Sequence, residues 1–395
     1  MKVHKIISSG ISLVLLLSFV FLAGAAGIAE YCIPDTLSFF QGEEPALGAF
    51  ATLSTSERED TRGRVLLFGV LPIKEVGLRE VERLSLCPGG GVFGIRAPMD
   101  GALVTALSEV ATAEGSRAPA REAGLHRGDL ITAVGGTPIR TAEELSAAIE
   151  GCDGRPLSIT VCRRGETLTL SLTPCRAGGE GAFRAGVMVK DTVAGIGTVT
   201  FYDPETGFFG GLGHGVYDGV SRTPAALGRG AVTGVGLTGV VKGKAGSPGE
   251  LRGHLEAEKI GTLLSNTDSG VFGVLAAPPA GEAIPISLSR EVRVGPAEIL
   301  STIEDGKTCR YTIEITSLRG ERGSEKSFSI RVTDPTLLEL TGGIVQGMSG
   351  SPIIQNGHLI GAVTHVMIGD PTAGYGIYIE NMLSAAQSQV QPNAA

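Results

Sequence analysis

The residues best suited to chemistry lie near the C-terminus, in the stretch 347–352, which reads Gly-Met-Ser-Gly-Ser-Pro. An apolar run, an Asn-Gly hairpin turn at 356–357 and a second apolar strand follow it. Small residues around Ser349 let the backbone turn sharply and point the N–H groups of Gly347 and Ser349 into one space. A serine oxygen beside such donors can attack a carbonyl and stabilise the resulting oxyanion. The motif therefore favours Ser349 as a nucleophile over the alternative, a Gly/Ser-rich turn before an ordinary hairpin.

A serine nucleophile needs a base, and the chain has six histidines. Five of them have ordinary explanations, in a targeting segment, a loop, a charged stretch or the hairpin after the serine: His4, His126, His254, His358 and His365. His214 differs, because it follows an aromatic strand and lies in a glycine-rich segment, 210–215. Glycines on both sides allow another segment to approach the imidazole closely. His214 is therefore the predicted general base.

The third member of such a site is a carboxylate that orients the imidazole and stabilises its charged form. Asp334 is the first choice, since it ends a strand-like run and precedes the serine motif. The Asp-Pro pair that it forms with Pro335 is also a common opening of a turn. Asp268 and Asp305 remain alternatives.

Two segments, 194–215 and 332–366, resemble the stage IV sporulation protein B family of serine peptidases. The resemblance includes LFGVLPIKEV at 67–76 and CPGG at 87–90, and it covers nearly the whole chain after the N-terminal segment. It implies an anchor, a PDZ domain and a trypsin-like peptidase domain, without metal or cofactor. The histidine, aspartate and serine of that family fall on His214, Asp334 and Ser349.

The same resemblance implies a function. The chain would be a membrane-tethered endopeptidase in the space between the two membranes around a forespore. It would cut a protein partner, a regulator of a sigma-factor processing complex, and would also cut itself near the N-terminus. Two alternatives stay open: a PDZ-based binding or regulatory protein with an inactive peptidase fold, and a general envelope quality-control protease.

The N-terminus predicts contact with a membrane. Two lysines precede an apolar run of membrane-spanning length within residues 1–29, and acidic residues follow it. The positive-inside rule then places the N-terminus in the cytoplasm and the rest outside. A cleaved signal peptide is the alternative, because Ala-Gly-Ala at 23–25 resembles a processing site. The net charge of −8 without a basic block gives nucleic-acid binding no support.

Two other patterns predict little chemistry. The six cysteines permit disulfides outside the cytoplasm, and one bridge is possible within 152–175, but no pair has metal-site spacing. The string Gly-Val-Gly-Leu-Thr-Gly at 234–239 matches a dinucleotide motif by letter. Because it opens no helix, it does not indicate a dinucleotide site.

The organisation predicted is mainly β. A connector with some β-structure (30–86) leads to an α+β PDZ domain (87–176), a double β-barrel peptidase domain (180–385) and a flexible tail (386–395). A PDZ domain binds an extended peptide as an added strand. Its groove is predicted from the run after Gly89-Gly90-Gly91 and from one face of the helix 142–149, as follows: Val92, Phe93, Gly94, Ile95, Leu145 and Ile149.

Overall fold

The computed structural model describes residues 19–24, 27, 33, 35–41, 51–54, 62–178, 181–217, 224, 230–304, 306–318 and 324–390. The chain divides into two compact units, residues 1–85 with 320–322, and residues 86–319 with 323–395. Most of the predicted anchor, 1–29, lies outside the described residues, as do 391–395 of the predicted tail. Among the residues described, no helix combines the length and apolar character needed to span a bilayer.

The first unit holds a four-stranded sheet in the order β1-β4-β3-β2. Its strands are β1 (Thr36–Phe40), β2 (Ala51–Ser54), β3 (Arg62–Leu67) and β4 (Leu71–Val81). Leu37, Val65 and Val76 form a small buried cluster on one face of this sheet. The alternation of buried and exposed residues in β3 matches a strand with one face on a core.

From residue 85 onward the structure is mainly β. The strands are β5 (Ser85–Pro88), β6 (Val92–Leu107), β7 (Val110–Thr112), β8 (Gly115–Arg117), β9 (Leu130–Val134), β10 (Thr137–Pro138), β11 (Leu157–Arg163), β12 (Glu166–Leu172), β13 (Cys175–Arg176), β14 (Phe183–Arg184), β15 (Val187–Tyr202), β16 (Phe208–Gly211), β17 (Ala231–Val241), β18 (Glu250–Thr267), β19 (Gly270–Leu275), β20 (Ile284–Pro285), β21 (Gly295–Thr302), β22 (Thr308–Leu318), β23 (Phe328–Val332), β24 (Pro352–Gln355), β25 (His358–Met367) and β26 (Asp370–Tyr378). The helices are α1 (Pro119–Glu122), α2 (Ala142–Glu150), a 3-10 turn (Ser289–Glu291), α3 (Pro335–Thr341) and α4 (Ile379–Val390).

Two β-barrels carry the site. In the first, β6 pairs with β17, β17 with β18, β18 with β19, β19 with β16, β16 with β15, and β15 again with β6, so the ring closes. The second is a closed barrel in the order β21-β22-β23-β26-β25-β24. Each has its own buried apolar cluster, which contains Phe93 and Phe209 in the first barrel and Phe328 and Ile353 in the second. The sequence prediction of two barrels within a mainly β chain agrees with this architecture.

The PDZ domain is inserted into the first barrel, so the start of the predicted PDZ domain (87–176) is wrong: residues 87–97 belong to the barrel. The N-terminal part of β6 pairs inside the barrel, where Ile95 lies opposite both Gly195 and Val232. The C-terminal part of β6 continues into the PDZ domain, where Leu103 pairs with Lys190 and with Leu130. The PDZ elements from β7 to β14 therefore lie between two neighbouring barrel strands.

The predicted PDZ groove strand, Val92 to Ile95, is consequently wrong. These residues pair with β15 and β17 of the barrel, and Phe93 contacts the ring of Phe209 edge-on, with centroids 5.6 Å apart. Leu145 and Ile149 do belong to the PDZ domain, where both are buried in its core. The glycine run before residue 92 resembled a PDZ loop by letter, but the strand after it completes the barrel.

The cysteines form no disulfide among the residues described. Cys87, Cys152, Cys162, Cys175 and Cys309 are all free thiols. The bridge considered possible within 152–175 is therefore not formed.

Candidate active site

The loop that carries Ser349 comes from the second barrel and is held by strand β15 of the first. The Thr198 N–H donates to the Ser349 carbonyl oxygen over 2.9 Å, and the Thr198 hydroxyl donates to the Gly347 carbonyl oxygen over 2.8 Å. Two residues further along β15, the Thr200 hydroxyl donates to the Gly350 carbonyl oxygen over 2.8 Å. Both threonines are fully buried. The loop is thus fixed at three successive points by one strand.

Glycine is required at position 350 because of this close approach. A Cβ there would lie 2.0 Å from the Thr198 carbonyl oxygen and 2.5 Å from the Leu212 nitrogen, and the residue has a φ of +96°. Leu212 begins the segment that leads to His214. The glycine after the predicted nucleophile therefore permits the histidine segment to pack directly against the serine loop.

The two serines of the motif have different environments. Ser351 is fully buried, and its hydroxyl donates to the buried Ser301 hydroxyl over 3.2 Å. Ser349 is half-buried, and its hydroxyl donates to the Thr364 carbonyl oxygen over 2.8 Å. Ser349 is thus the serine that a substrate can approach, whereas Ser351 is part of the barrel core.

His214 approaches the same segment of β25 as Ser349. Its ring lies beside that of His365, with centroids 5.0 Å apart and planes tilted by 40°. Its Nδ1 lies 2.9 Å from the Gly215 carbonyl oxygen, which can only accept, so Nδ1 carries the proton and Nε2 is left as the basic nitrogen. No hydrogen bond joins Ser349 to His214 among the described residues. The hydroxyl of Ser349 must turn from Thr364 towards Nε2 for proton transfer.

The predicted oxyanion donors are available. In the described part of the chain, the N–H groups of Gly347 and Ser349 donate to no acceptor, whereas the neighbouring Gly350 N–H donates to the Val363 carbonyl oxygen over 2.7 Å. Gly347 has a φ of +100°, a conformation that favours glycine. These free donors beside Ser349 fit the binding of a developing negative charge, and their assignment stays a prediction.

The structure does not bring Asp334 to His214. Asp334 is the N-cap of α3, where one carboxylate oxygen accepts the Leu337 N–H over 3.0 Å and the other accepts the Thr312 N–H over 3.2 Å. Both oxygens are therefore used to hold the local backbone. Of the alternatives, Asp268 accepts the Tyr217 hydroxyl over 3.0 Å, and Asp305 lies outside the described residues.

The structure places His365 against the His214 ring and Glu325 beside His365, and the sequence reasoning missed both residues. His365 was interpreted as an ordinary barrel residue, yet its ring contacts His214, and its Nε2 lies 3.7 Å from Glu325 Oε1. Burial, and after it the charges of His214 and Lys326, lowers the pKa of His365 to about 4, so this imidazole is neutral at pH 7. The sequence signal that could have pointed to His365 was a histidine on the second strand of the hairpin that follows Ser349.

The PDZ domain has a cavity of about 310 Å³ between α2 and the segment 183–187. Ser146, Ile149 and Glu150 line it from the helix side. Val187, at its other wall, is the first residue of β15. This is the groove that the structure offers in place of the predicted one, with Ile149 common to both.

A metal site is not indicated by the described part of the chain, in which no three His, Cys, Asp or Glu side chains are grouped to hold an ion.

Known families match both modules. The family described as SpoIVB peptidase S55 matches residues 181–383, and the PDZ domain family matches residues 110–163. A protein of Lactococcus lactis subsp. lactis (strain IL1403), named "Putative zinc metalloprotease LL2128", is 36% identical over 91 residues, which make up 23% of this chain and 19% of that protein. The chain thus spans about a fifth of the length of that relative.

Several solved structures are similar to this chain at low sequence identity. The active form of the Rv3671c protease from M. tuberculosis is 15% identical, with 51% of this chain and 76% of that chain covered and a TM-score of 0.30. The HtrA-type protease AlgW with a decapeptide is 14% identical, with 55% and 56% covered and a TM-score of 0.31. Deg5 is 15% identical, with 51% and 86% covered and a TM-score of 0.32.

Proposed function

Because the chain belongs to the SpoIVB peptidase S55 family and is a serine peptidase, we propose that it is an extracytoplasmic endopeptidase of a sporulation signalling step. It is tethered by its N-terminal segment, cuts itself near that segment, and cuts a protein partner that regulates a sigma-factor processing complex. The resemblance to the family supports this role, as do the lysines before the apolar N-terminal run and the acidic residues after it.

The observation that carries the peptidase mechanism is the meeting of the two barrels at Ser349. Ser349 attacks the scissile carbonyl, and His214 takes the hydroxyl proton at Nε2 and passes it to the leaving amine. The N–H groups of Gly347 and Ser349 stabilise the oxyanion, a contribution of about 3–4 kcal/mol for each donor in comparable sites. The bonds from Thr198 to both residues hold these donors in place before substrate arrives.

Labelling of the full-length chain with a fluorophosphonate probe tests the mechanism, because the probe reacts with an activated serine and needs no known substrate. The parent should label, and Ser349→Ala should not. Ser351→Ala is the matched control, since it removes a buried hydroxyl only two positions away. A parent that folds but does not label would favour the alternative, a binding protein with an inactive peptidase fold.

Self-cleavage needs a second experiment. The parent and Ser349→Ala chains are each incubated alone, and their fragments are sequenced from the N-terminus. A cut before the first barrel that appears in the parent but not in Ser349→Ala supports self-cleavage. The same cut in both chains would assign it to another protease.

The PDZ domain implies that the enzyme binds a peptide or a protein substrate. We expect an extended segment to lie in the cavity between α2 and residues 183–187. Ser146→Trp should fill this cavity from an exposed helix position and weaken binding of a peptide from the chain's own N-terminal region. Ala147→Trp, which is equally exposed but does not line the cavity, is the control.

A further inference from the structure

Two buried polar atoms in the cluster beside His214 have no hydrogen-bond partner among the residues that the structure describes. They are Nδ1 of His365 and Oε2 of Glu325, and they belong to side chains that face each other, with His365 Nε2 3.7 Å from Glu325 Oε1. A buried polar atom without a partner costs about 1–3 kcal/mol. Such unpaired atoms at one place in a structure require an explanation, and here they adjoin the proposed base.

The protonation of the two imidazoles makes them complementary. Nδ1 of His214 carries its proton, because it faces the Gly215 carbonyl oxygen. His365 is neutral, and a proton on its Nε2, directed at Glu325, leaves its Nδ1 as an acceptor. His214 thus holds a donor, and the neighbouring ring holds an unused, buried acceptor.

We propose that His365, supported by Glu325, is the positioning residue for His214, an inference that rests on the proposed serine-peptidase function. In the reacting enzyme the Nδ1–H of His214 turns from Gly215 to Nδ1 of His365. Glu325 accepts the Nε2–H of His365 and supplies the negative charge that stabilises imidazolium at His214. The proton that leaves Ser349 stays on Nε2 of His214 until the amine takes it, so His365 and Glu325 keep their protonation states throughout.

The position of His365 on β25 suits this role. It directly follows Thr364, whose carbonyl oxygen holds the Ser349 hydroxyl. The Thr364 hydroxyl in turn donates to the Glu325 carbonyl oxygen over 2.7 Å, which ties the glutamate's segment to the same strand. One short piece of β25 therefore contacts the nucleophile, the base and the acidic segment.

Asp334 cannot take this role without giving up its own contacts. Its two oxygens already accept N–H groups of Leu337 and Thr312, and it begins the helix that leads to the serine loop. Loss of Asp334 would weaken that helix start whether or not the residue has a part in proton transfer.

The test measures the rate of fluorophosphonate labelling in the full-length chain across about pH 5 to 9, where a general base titrates. His365→Phe should lower the rate by about 10²- to 10⁴-fold, and His365→Gln, which offers an amide oxygen to His214, should recover part of it. Asp334→Asn should label within about threefold of the parent, because an asparagine still caps the helix.

Glu325→Gln provides a readout that a purely structural role would not change. Removing the negative charge next to His365 should make protonation of the catalytic base less favourable, so the acid limb of the labelling profile should move to lower pH. The other charged or titratable groups around this cluster stay in place in all variants; they are Lys326, Asp268, Tyr217 and, on the neighbouring strand β26, Tyr375.

The results separate the inference from the function on which it rests. A folded parent that does not label would overturn both. If the parent labels at Ser349, a His365→Phe variant with the parent's melting temperature and labelling rate overturns the role of His365. If His365→Phe does not fold, two other results together overturn the role of His365. These are an acid limb that does not shift in Glu325→Gln and a loss of labelling in a folded Asp334→Asn variant.

Discussion

The hydroxyl of Thr198 offers a measurable test of how the serine loop is held. Thr198→Val keeps nearly the same volume and removes only the donor to the Gly347 carbonyl oxygen, which is 2.8 Å away. A hydrogen bond of this kind contributes about 0.5–1.5 kcal/mol, and leaving its partner unpaired can cost about 1–3 kcal/mol. We therefore expect the free energy of unfolding to fall by about 1–3 kcal/mol.

The first barrel supplies a matched control at Thr233. This threonine is also buried, at 2% exposure, but its hydroxyl has no hydrogen-bond partner in the described part of the chain. Thr233→Val removes an unpaired buried polar atom, so stability should stay the same or rise. Because the substitution is identical at both positions, the difference between the variants isolates the hydrogen bond to Gly347.

The same substitution should also affect chemistry. The Gly347 carbonyl belongs to the peptide next to the predicted oxyanion donors, and without Thr198 that peptide can rotate. Removing one oxyanion donor outright costs about 10²–10³ in rate, so a partly misplaced donor should slow labelling roughly tenfold. Thr233→Val should label at the parent rate.

Thermal melting and fluorophosphonate labelling below the melting temperature measure the two effects. Each kcal/mol shifts the melting temperature by about 2–4 °C in domains of 150–250 residues, so the variants should differ by several degrees. Equal melting temperatures for Thr198→Val and Thr233→Val would refute the stabilising role of the bond. Parent-like labelling of a destabilised Thr198→Val would refute its role in positioning the loop.

Three further predictions concern the site. His214→Ala should abolish labelling as fully as Ser349→Ala, and the double variant should be no worse, because residues that act as a unit give non-additive losses; additive losses would contradict the pairing. Asp334→Ala should lower the melting temperature through loss of about 1 kcal/mol of helix capping, and the Asp334→Asn variant should recover most of it; an unchanged melting temperature in the alanine variant would contradict the cap. The pKa of His365 is lowered from 6.5 to about 4, so between these values the folded protein binds fewer protons than the unfolded chain. Stability should therefore fall as pH falls through that window, and His365→Phe should flatten the fall in a melting series.

The sequence predicted the parts of the site that depend on local backbone geometry. The glycines around Ser349 and His214 are needed because segments approach closely, as the 2.0 Å distance from a Cβ at Gly350 to the Thr198 oxygen shows. Such positions leave a visible mark in the chain. The prediction of Asp334 used the wrong local rule, because an aspartate before a proline also begins a helix.

The remaining features depend on contacts between distant parts of the chain. The insertion of the PDZ domain follows from the pairing of Ile95 with Gly195, which no local pattern encodes. The meeting of His214 and His365 likewise requires both barrels to be in place. A lone histidine on a barrel strand looks the same in sequence whether it faces a core or another imidazole.

The insertion also determines how a peptide in the PDZ groove could influence Ser349. Strand β15 begins at Val187 in the groove wall and reaches Thr198, which holds the serine loop. Between them the pairing with β6 shifts register, and there the Asp191 carboxylate accepts the N–H of Ala142, the first residue of α2, over 2.8 Å. Both walls of the groove are therefore joined to the strand that positions the nucleophile.

An experiment can distinguish two roles of the PDZ domain: it either tethers substrates only, or its groove is also coupled to Ser349 through β15. If the PDZ domain only tethers substrates, a groove peptide should compete with PDZ-bound substrates and leave fluorophosphonate labelling unchanged, because the probe does not use the groove. If β15 couples the sites, the peptide should change the labelling rate itself. Asp191→Asn keeps one acceptor for the Ala142 N–H but removes the charge at the start of α2, so it should reduce that change without blocking the peptide. A labelling rate that is the same with and without bound peptide would limit the PDZ domain to tethering, since a ligand shifts an equilibrium only through differential binding to its two states.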